Sequence, residues 1–235
     1  MSIKNIFFDL DGTLLPMDQD SFIKTYLESL AEKMRLRSHD PEKFIDTVMK
    51  STYLMAKNDG SVTNSTVFWN YYYGVYGDAA KDDEDFLEKF YREDFDAFGY
   101  LCGYEPRANE LVKRLKDRGF RLVLATSPVF PASATECRIR WAGLDQNDFE
   151  LVTTYENSTF CKPNPMYYHD IASRLGMRPD ECLMIGNDAL DDMAALEVGM
   201  KVFLLTDHLI NRKNADISVF RNGDFSELVN YLDTF

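Results

Sequence analysis

Two carboxylates, Asp9 and Asp11, follow directly on a short apolar run and precede Gly12 and Thr13, which break it. Acids placed where a strand leaves a core are costly unless something neutralises or uses them. Three further stretches carry reactive side chains: the hydroxyls Thr126 and Ser127 ahead of Pro128, Lys162 in Cys161-Lys162-Pro163-Asn164-Pro165, and the run Gly186-Asn187-Asp188-Ala189-Leu190-Asp191-Asp192. Each alone has an ordinary explanation, since Ser and Thr cap helices, lysines are usually solvated, and acids gather in first helical turns. Together they supply a nucleophile, a neighbouring acid/base, a hydroxyl, a cation and a carboxylate cluster for a divalent metal. Phosphoryl transfer needs that set, because its demands are alignment and neutralisation of charge.

The elements that must position these groups are legible as apolar runs alternating with helical patterns. Ile3 to Phe8, Arg121 to Ala125, Leu151 to Thr154, Cys182 to Gly186 and Lys201 to Leu205 read as five strands. Glu136 to Ala142, Met166 to Leu175, Leu190 to Val198 and Ser226 to Leu232 read as helical segments, the first three closed by Gly143, Gly176 and Gly199. This alternation predicts an α/β fold, a parallel sheet with helices on both faces. Sites in such sheets lie at the carboxyl ends of the strands, where all four reactive stretches fall.

The segment from about Met17 to Glu105 differs. Phe22, Tyr26, Leu27 and Leu30 fall at helical spacing, as do Phe44, Val48, Met49 and Tyr53. Val67 to Tyr76 is an aromatic run, read as helix-packing core, and Asp82 to Phe98 an acid-rich helical stretch, read as a solvated face. A separate, mostly helical domain inserted after the first strand is expected, with crossings near Pro16 to Asp18 and Tyr104 to Pro106.

Composition excludes several classes. The 235 residues, 45% of them hydrophobic, suffice for one large domain or a core with a smaller partner. No apolar stretch reaches the roughly 18 to 20 residues of a membrane span, and charge at Lys4 and Asp9 interrupts any secretory signal. Cys102, Cys137, Cys161 and Cys182 are scattered, without metal-finger spacing, which fits a reduced, cytoplasmic chain. With 39 acids against 26 bases the net charge is −13, unfavourable to duplex nucleic acid or an anionic membrane.

The four stretches, in order and each after a strand, resemble the motifs of the haloacid dehalogenase superfamily of phosphohydrolases. Asp-Leu-Asp-Gly-Thr-Leu at 9 to 14 matches the first motif, Thr126 the second, Lys162 with Pro163 the third, and Gly186 to Asp192 the fourth. The resemblance implies a Rossmann-like core, residues 1–16 and 106–235, with a helical cap at 17–105. It implies that Asp9 attacks phosphorus to form an aspartyl phosphate, and that Asp11 acts as acid and then base. Thr126, Ser127, Gly12 and Lys162 would bind the phosphoryl group. Mg2+ would be held by Asp9, the Asp11 backbone carbonyl and a fourth-motif carboxylate.

The family often has Gly-Asp in the fourth motif, where this chain has Gly186-Asn187-Asp188. An ungapped match pairs Asn187 with Asp191; a shift by one pairs Asp188, as metal ligand, with Asp192 as supporting acid. A hard dication favours the carboxylate pair. The expected activity is hydrolysis of a small phosphorylated metabolite. Asp11 disfavours carbon–halogen hydrolysis, and cap lysines Lys24, Lys33, Lys50 and Lys57 leave phosphonate cleavage a weak possibility. A phosphosugar mutase is the main alternative, and a non-catalytic phosphate-binding protein the other.

Overall fold

A computed structural model describes residues 2–235. β1 (Asn5–Phe8) is buried at every position, and alternation divides its side chains between two cores. Ile6 and Phe8 pack with Leu122, Leu124, Leu183 and Ile185 on one face. Phe7 packs with Val123, Met184 and Val202 on the other. Burial on both faces is why the strands read as continuous apolar runs.

The remaining strands are β2 (Arg121–Leu124), β3 (Leu151–Val152), β4 (Cys182–Gly186), β5 (Lys201–Leu205) and β6 (Asn222–Gly223). They form one parallel sheet in the order β3-β2-β1-β4-β5-β6. Phe8 pairs with both Leu124 and Ile185, so the ends of β1, β2 and β4 lie level. The chain order reverses beside β1, the place where open α/β sheets form a crevice.

α1 (Gln19–Arg35), α2 (Pro41–Ala56), α3 (Asn64–Tyr76) and α4 (Ala80–Glu93) all lie between β1 and β2. Asp18, Asp40 and Thr63 cap the first three through side-chain oxygens that accept backbone N–H groups. The two chain crossings meet: Met17 and Cys102 form an antiparallel bridge, and Gly103 N–H donates to the Pro16 carbonyl (2.7 Å). A second attachment comes from the start of α3, where Asn64 N–H donates to Ser158 O and Ser65 N–H to Tyr155 O, both at 2.8 Å. α5 (Pro106–Asp117), α6 (Ala132–Trp141) and α8 (Phe225–Leu232) pack on the Ile6 and Phe8 face, and α7 (Pro165–Arg174) on the Phe7 face.

Three details depart from the sequence pattern. β6 is a sixth strand, too short and polar to register as one. The acid-rich stretch from Asp82 is not one helix, since α4 ends at Glu93 and 3-10 turns cover Phe95–Leu101. The segment expected as a helix from Leu190 is 3-10 over Met193–Val198. Asp188 Oδ1 accepts from Leu190 N–H (2.7 Å) and Asp191 N–H (2.9 Å), and these side-chain bonds displace the first helical turn.

Gly186, the last residue of β4, has no room for a side chain, because a Cβ there would lie 2.2 Å from Asp192 Cγ. Gly186→Ala should therefore destabilise the fold by about 2 kcal/mol, or roughly 6 °C in Tm. Calorimetry checks this, and an unchanged Tm would show that Asp192 is free to move.

Candidate active site

Asp9 leaves β1 with its N–H donated to Ile185 O (2.8 Å), which fixes its backbone against β4. The residue is 6% exposed. Lys162 Nζ donates to Asp9 Oδ1 (2.8 Å) and to Asp192 Oδ1 (2.6 Å). Burial alone would depress that ammonium, but Asp192 and Asp9 reverse the effect and hold it well above its ordinary range. Asp192 spends its second oxygen on the Asp188 N–H (2.9 Å), and burial pushes its carboxyl up to about 7 against the pull of Lys162.

Asp11 faces the same crevice. Its Oδ2 accepts from Nη1 of Arg138, while Oδ1 is buried without a hydrogen-bond partner. Burial raises its carboxyl to about 6, with Arg138 opposing the rise and Asp9 adding to it. Its backbone carbonyl accepts from Gln19 Nε2 (2.9 Å), at the start of α1.

Arg138 carries no motif, and its place emerges only from packing. It is 1% exposed, lies 4.3 Å over the Phe130 ring, and donates through Nη2 to Thr135 Oγ1 (3.2 Å). The available signal was its spacing: Ala134, Thr135, Cys137 and Arg138 share the buried face of α6.

Thr126 follows β2 closely, and its hydroxyl is buried with no partner. Thr153 Oγ1 (2.7 Å) and the Tyr167 hydroxyl (2.8 Å) bond its carbonyl instead, leaving Oγ1 uncommitted. Gly12 takes φ +84°, and a Cβ there would meet Asn187 Nδ2 at 2.2 Å. Its N–H is already donated to Leu15 O (2.8 Å), so Gly12 serves the turn. Asn187 is also committed: Nδ2 donates to His208 O (2.6 Å) and Oδ1 faces the Thr13 hydroxyl (3.2 Å). Among the described residues, Asp188 Oδ2 takes no hydrogen bond, Oδ1 being the oxygen engaged. Asp191 accepts none through its side chain, and burial followed by the charge of Asp188 pushes it up to about 6.

A cavity of about 160 Å³ joins these groups. Asp9, Asp11, Ser127, Lys162, Asn187, Asp188, Asp191 and Asp192 line it, with Phe22 and Ile23 of α1 on the opposite wall. Thr126 and Gly12 are not among its lining residues. Five aspartates with hard oxygen donors face one lysine, and three are pushed up, first by burial and then by neighbouring carboxylates. Such a pocket favours a hard divalent cation. Among the described residues no three His, Cys, Asp or Glu side chains form a ready-made cage, so a dication would draw on a backbone carbonyl and water as well.

Sheet, strand-end carboxylates and the helical insertion together define a Rossmann-like α/β enzyme. The model of the haloacid dehalogenase-like hydrolase family matches residues 3–199, and the chain belongs to that family of hydrolases. It is 24% identical over 203 residues to pyrophosphatase PpaX of Bacillus cereus, covering 86% of this chain and 82% of the relative. Its fold is similar to a HAD phosphatase from Thermococcus onnurineus, with TM-score 0.60, 20% identity and 98% of each chain covered. It is also similar to a predicted phosphoglycolate phosphatase from Haemophilus somnus, with TM-score 0.56, 20% identity and 99% of each chain covered.

The raised Asp191 carboxyl has a consequence for stability. Its folded value of about 6 exceeds the ordinary 3.8, so its ionisation penalises the folded state fully above pH 6 and not at all below the ordinary value. In chelator, the Tm advantage of Asp191→Asn over the parent should grow by roughly 4 °C between mildly acidic and mildly alkaline pH. Paired thermal melts measure it, and a pH-independent difference would contradict the assigned environment.

Proposed function

We propose that this hydrolase is a magnesium-dependent phosphatase that cleaves a small phosphomonoester through an aspartyl phosphate on Asp9. The observation that carries the proposal is the Asp9 carboxylate, fixed at the end of β1 by Lys162, with a second, partly unpartnered carboxyl on Asp11 two residues away. An Asp9 oxygen attacks phosphorus, the bond from phosphorus to the ester oxygen breaks, and the Asp11 carboxyl gives its proton to the departing alkoxide. Water then loses a proton to Asp11 as its oxygen attacks phosphorus, and the Asp9 carboxylate departs unchanged. A value raised to about 6 suits Asp11 to hold and release that proton near neutral pH.

The uncommitted Thr126 hydroxyl and Ser127 suit the phosphoryl oxygens. Lys162 offsets charge on Asp9 as the bond forms. Mg2+ fits Asp9, the Asp11 carbonyl and Asp188, and when bound it neutralises the transferring phosphoryl group. Asp192, with both oxygens engaged, fits a supporting role, and Asp191 is the reserve ligand. Residues 17–105 act as a cap that covers the crevice and excludes water. The pyrophosphatase relative supports phosphoryl chemistry over carbon–halogen cleavage. The net charge of −13 disfavours polyanionic substrates. No helix among the described residues is long and apolar enough to cross a membrane, and four free thiols fit a reducing compartment such as the cytoplasm.

Asp9→Asn should fold normally and lose activity by at least about a thousandfold, because an amide is no nucleophile. Phosphate release from a panel of sugar phosphates, phosphorylated acids and nucleoside monophosphates checks it, with turnover within tenfold of the parent contradicting the role. A sugar phosphate converted to its isomer with little free phosphate would instead identify a mutase.

The metal assignment is tested separately. Activity should vanish in chelator and return with magnesium, and Asp188→Ala should raise the magnesium needed for half-activity roughly tenfold more than Asp191→Ala. The reverse order would return the ligand role to the Asn187 and Asp191 pair.

A further inference from the structure

A second, larger cavity of about 380 Å³ lies between the helical insertion and the sheet. Its walls come from α1, α2, α3 and α4 on one side and from the loops after β2 and β3 on the other. Six aromatic side chains line it, Tyr26, Phe44, Phe68, Trp69, Tyr91 and Tyr155. Part of the aromatic run read as packing core thus faces an open space. Phe68 and Trp69 meet edge to face at 5.2 Å, and Trp69 Nε1 donates to the Tyr155 hydroxyl (3.3 Å), so the cage is held in place.

The charged residues of this lining are all acidic: Glu84, Glu88 and Glu156. Glu88 is paired with Arg92. Glu84 accepts only from the Tyr73 hydroxyl, and Glu156 only from the Ala132 N–H at the start of α6. Among the described residues no lysine or arginine pairs with either. Aromatic faces attract cations through their quadrupole, and two glutamates without a cationic partner add to the same field. An anionic guest would meet three glutamates and no lysine or arginine in this lining.

Val129 lines both this cavity and the smaller acidic one, and the rings of Tyr26 and Phe130 stand 5.7 Å apart. The two cavities therefore adjoin at Val129. We propose that the larger cavity binds an organic cation, an amine or quaternary ammonium with an apolar skin, as the leaving-group end of the substrate. The substrate class is then a phosphomonoester of an amino alcohol. This rests on the phosphatase assignment above, and the binding measurement keeps the two separable.

Trp69 and Trp141 are the chain's two tryptophans, and only Trp69 lines the cavity. In the Trp141→Phe protein, choline should change Trp69 fluorescence saturably. The neutral isostere, in which a tert-butyl group replaces the trimethylammonium, should bind roughly tenfold more weakly. Glu84→Gln and Glu156→Gln, checked for folding by circular dichroism, should each weaken choline several-fold and leave the isostere unaffected. With the wild-type enzyme, kcat/KM for phosphocholine should exceed that for the isostere's phosphate ester by roughly tenfold. Equal turnover of the two esters would overturn the cation assignment while leaving the phosphatase intact. Saturable choline binding with no ester hydrolysed would support the cavity's ligand class and count against the phosphatase. No fluorescence response to choline would overturn the proposal.

Discussion

The ammonium of Lys162, out of solvent between Asp9 and Asp192, is the interaction on which the rest of the crevice depends. Two carboxylates and one cation at this depth are tolerable only while each holds its partner, since an uncompensated buried charge costs roughly 3–5 kcal/mol. That constraint reaches into the fold. Asp192 can meet Lys162 only because Gly186 presents no side chain, and Asp9 can do so only because β4 holds its N–H.

Lys162 neutralises one negative charge of several. Asp11, Asp188 and Asp191 also face the small cavity, and the raised carboxyls of Asp11, Asp191 and Asp192 record the residual repulsion and burial. Arg138 answers part of it from behind Asp11, anchored by Thr135 and Phe130. What remains is a pocket whose residual negative charge a divalent cation would offset. Order at the back of the site and unsatisfied valence at its front are two sides of one arrangement.

The sheet was legible in the sequence because burial on both faces turns strands into unbroken apolar runs, as in Phe7-Phe8 and Leu183-Met184-Ile185. The four strand-end stretches were legible because motif chemistry sits at fixed offsets from those runs. Asp9, Lys162 and Asp192 do come together, and Asp188 and Asp191 share their cavity. Arg138 and Gln19 were not legible. Arg138 reaches Asp11 across more than a hundred residues, its spacing on α6 marking burial but no role, and Gln19 acts from the first turn of the insertion with no local signal. Gly12 was expected among the phosphoryl contacts, and only the folded turn shows its N–H donated to Leu15. β6 escaped notice because two residues carry no pattern.

The proposed chemistry is covalent and centred on one carboxylate, Asp9. The direct measurement is chemical trapping of the intermediate: enzyme quenched during turnover of a phosphomonoester and reduced with borohydride, which converts an aspartyl phosphate to homoserine. Peptide mass spectrometry should find homoserine at position 9 and unmodified aspartate at positions 11, 188, 191 and 192. Homoserine at any of those four, or sustained turnover with Asp9 never modified, would contradict the account.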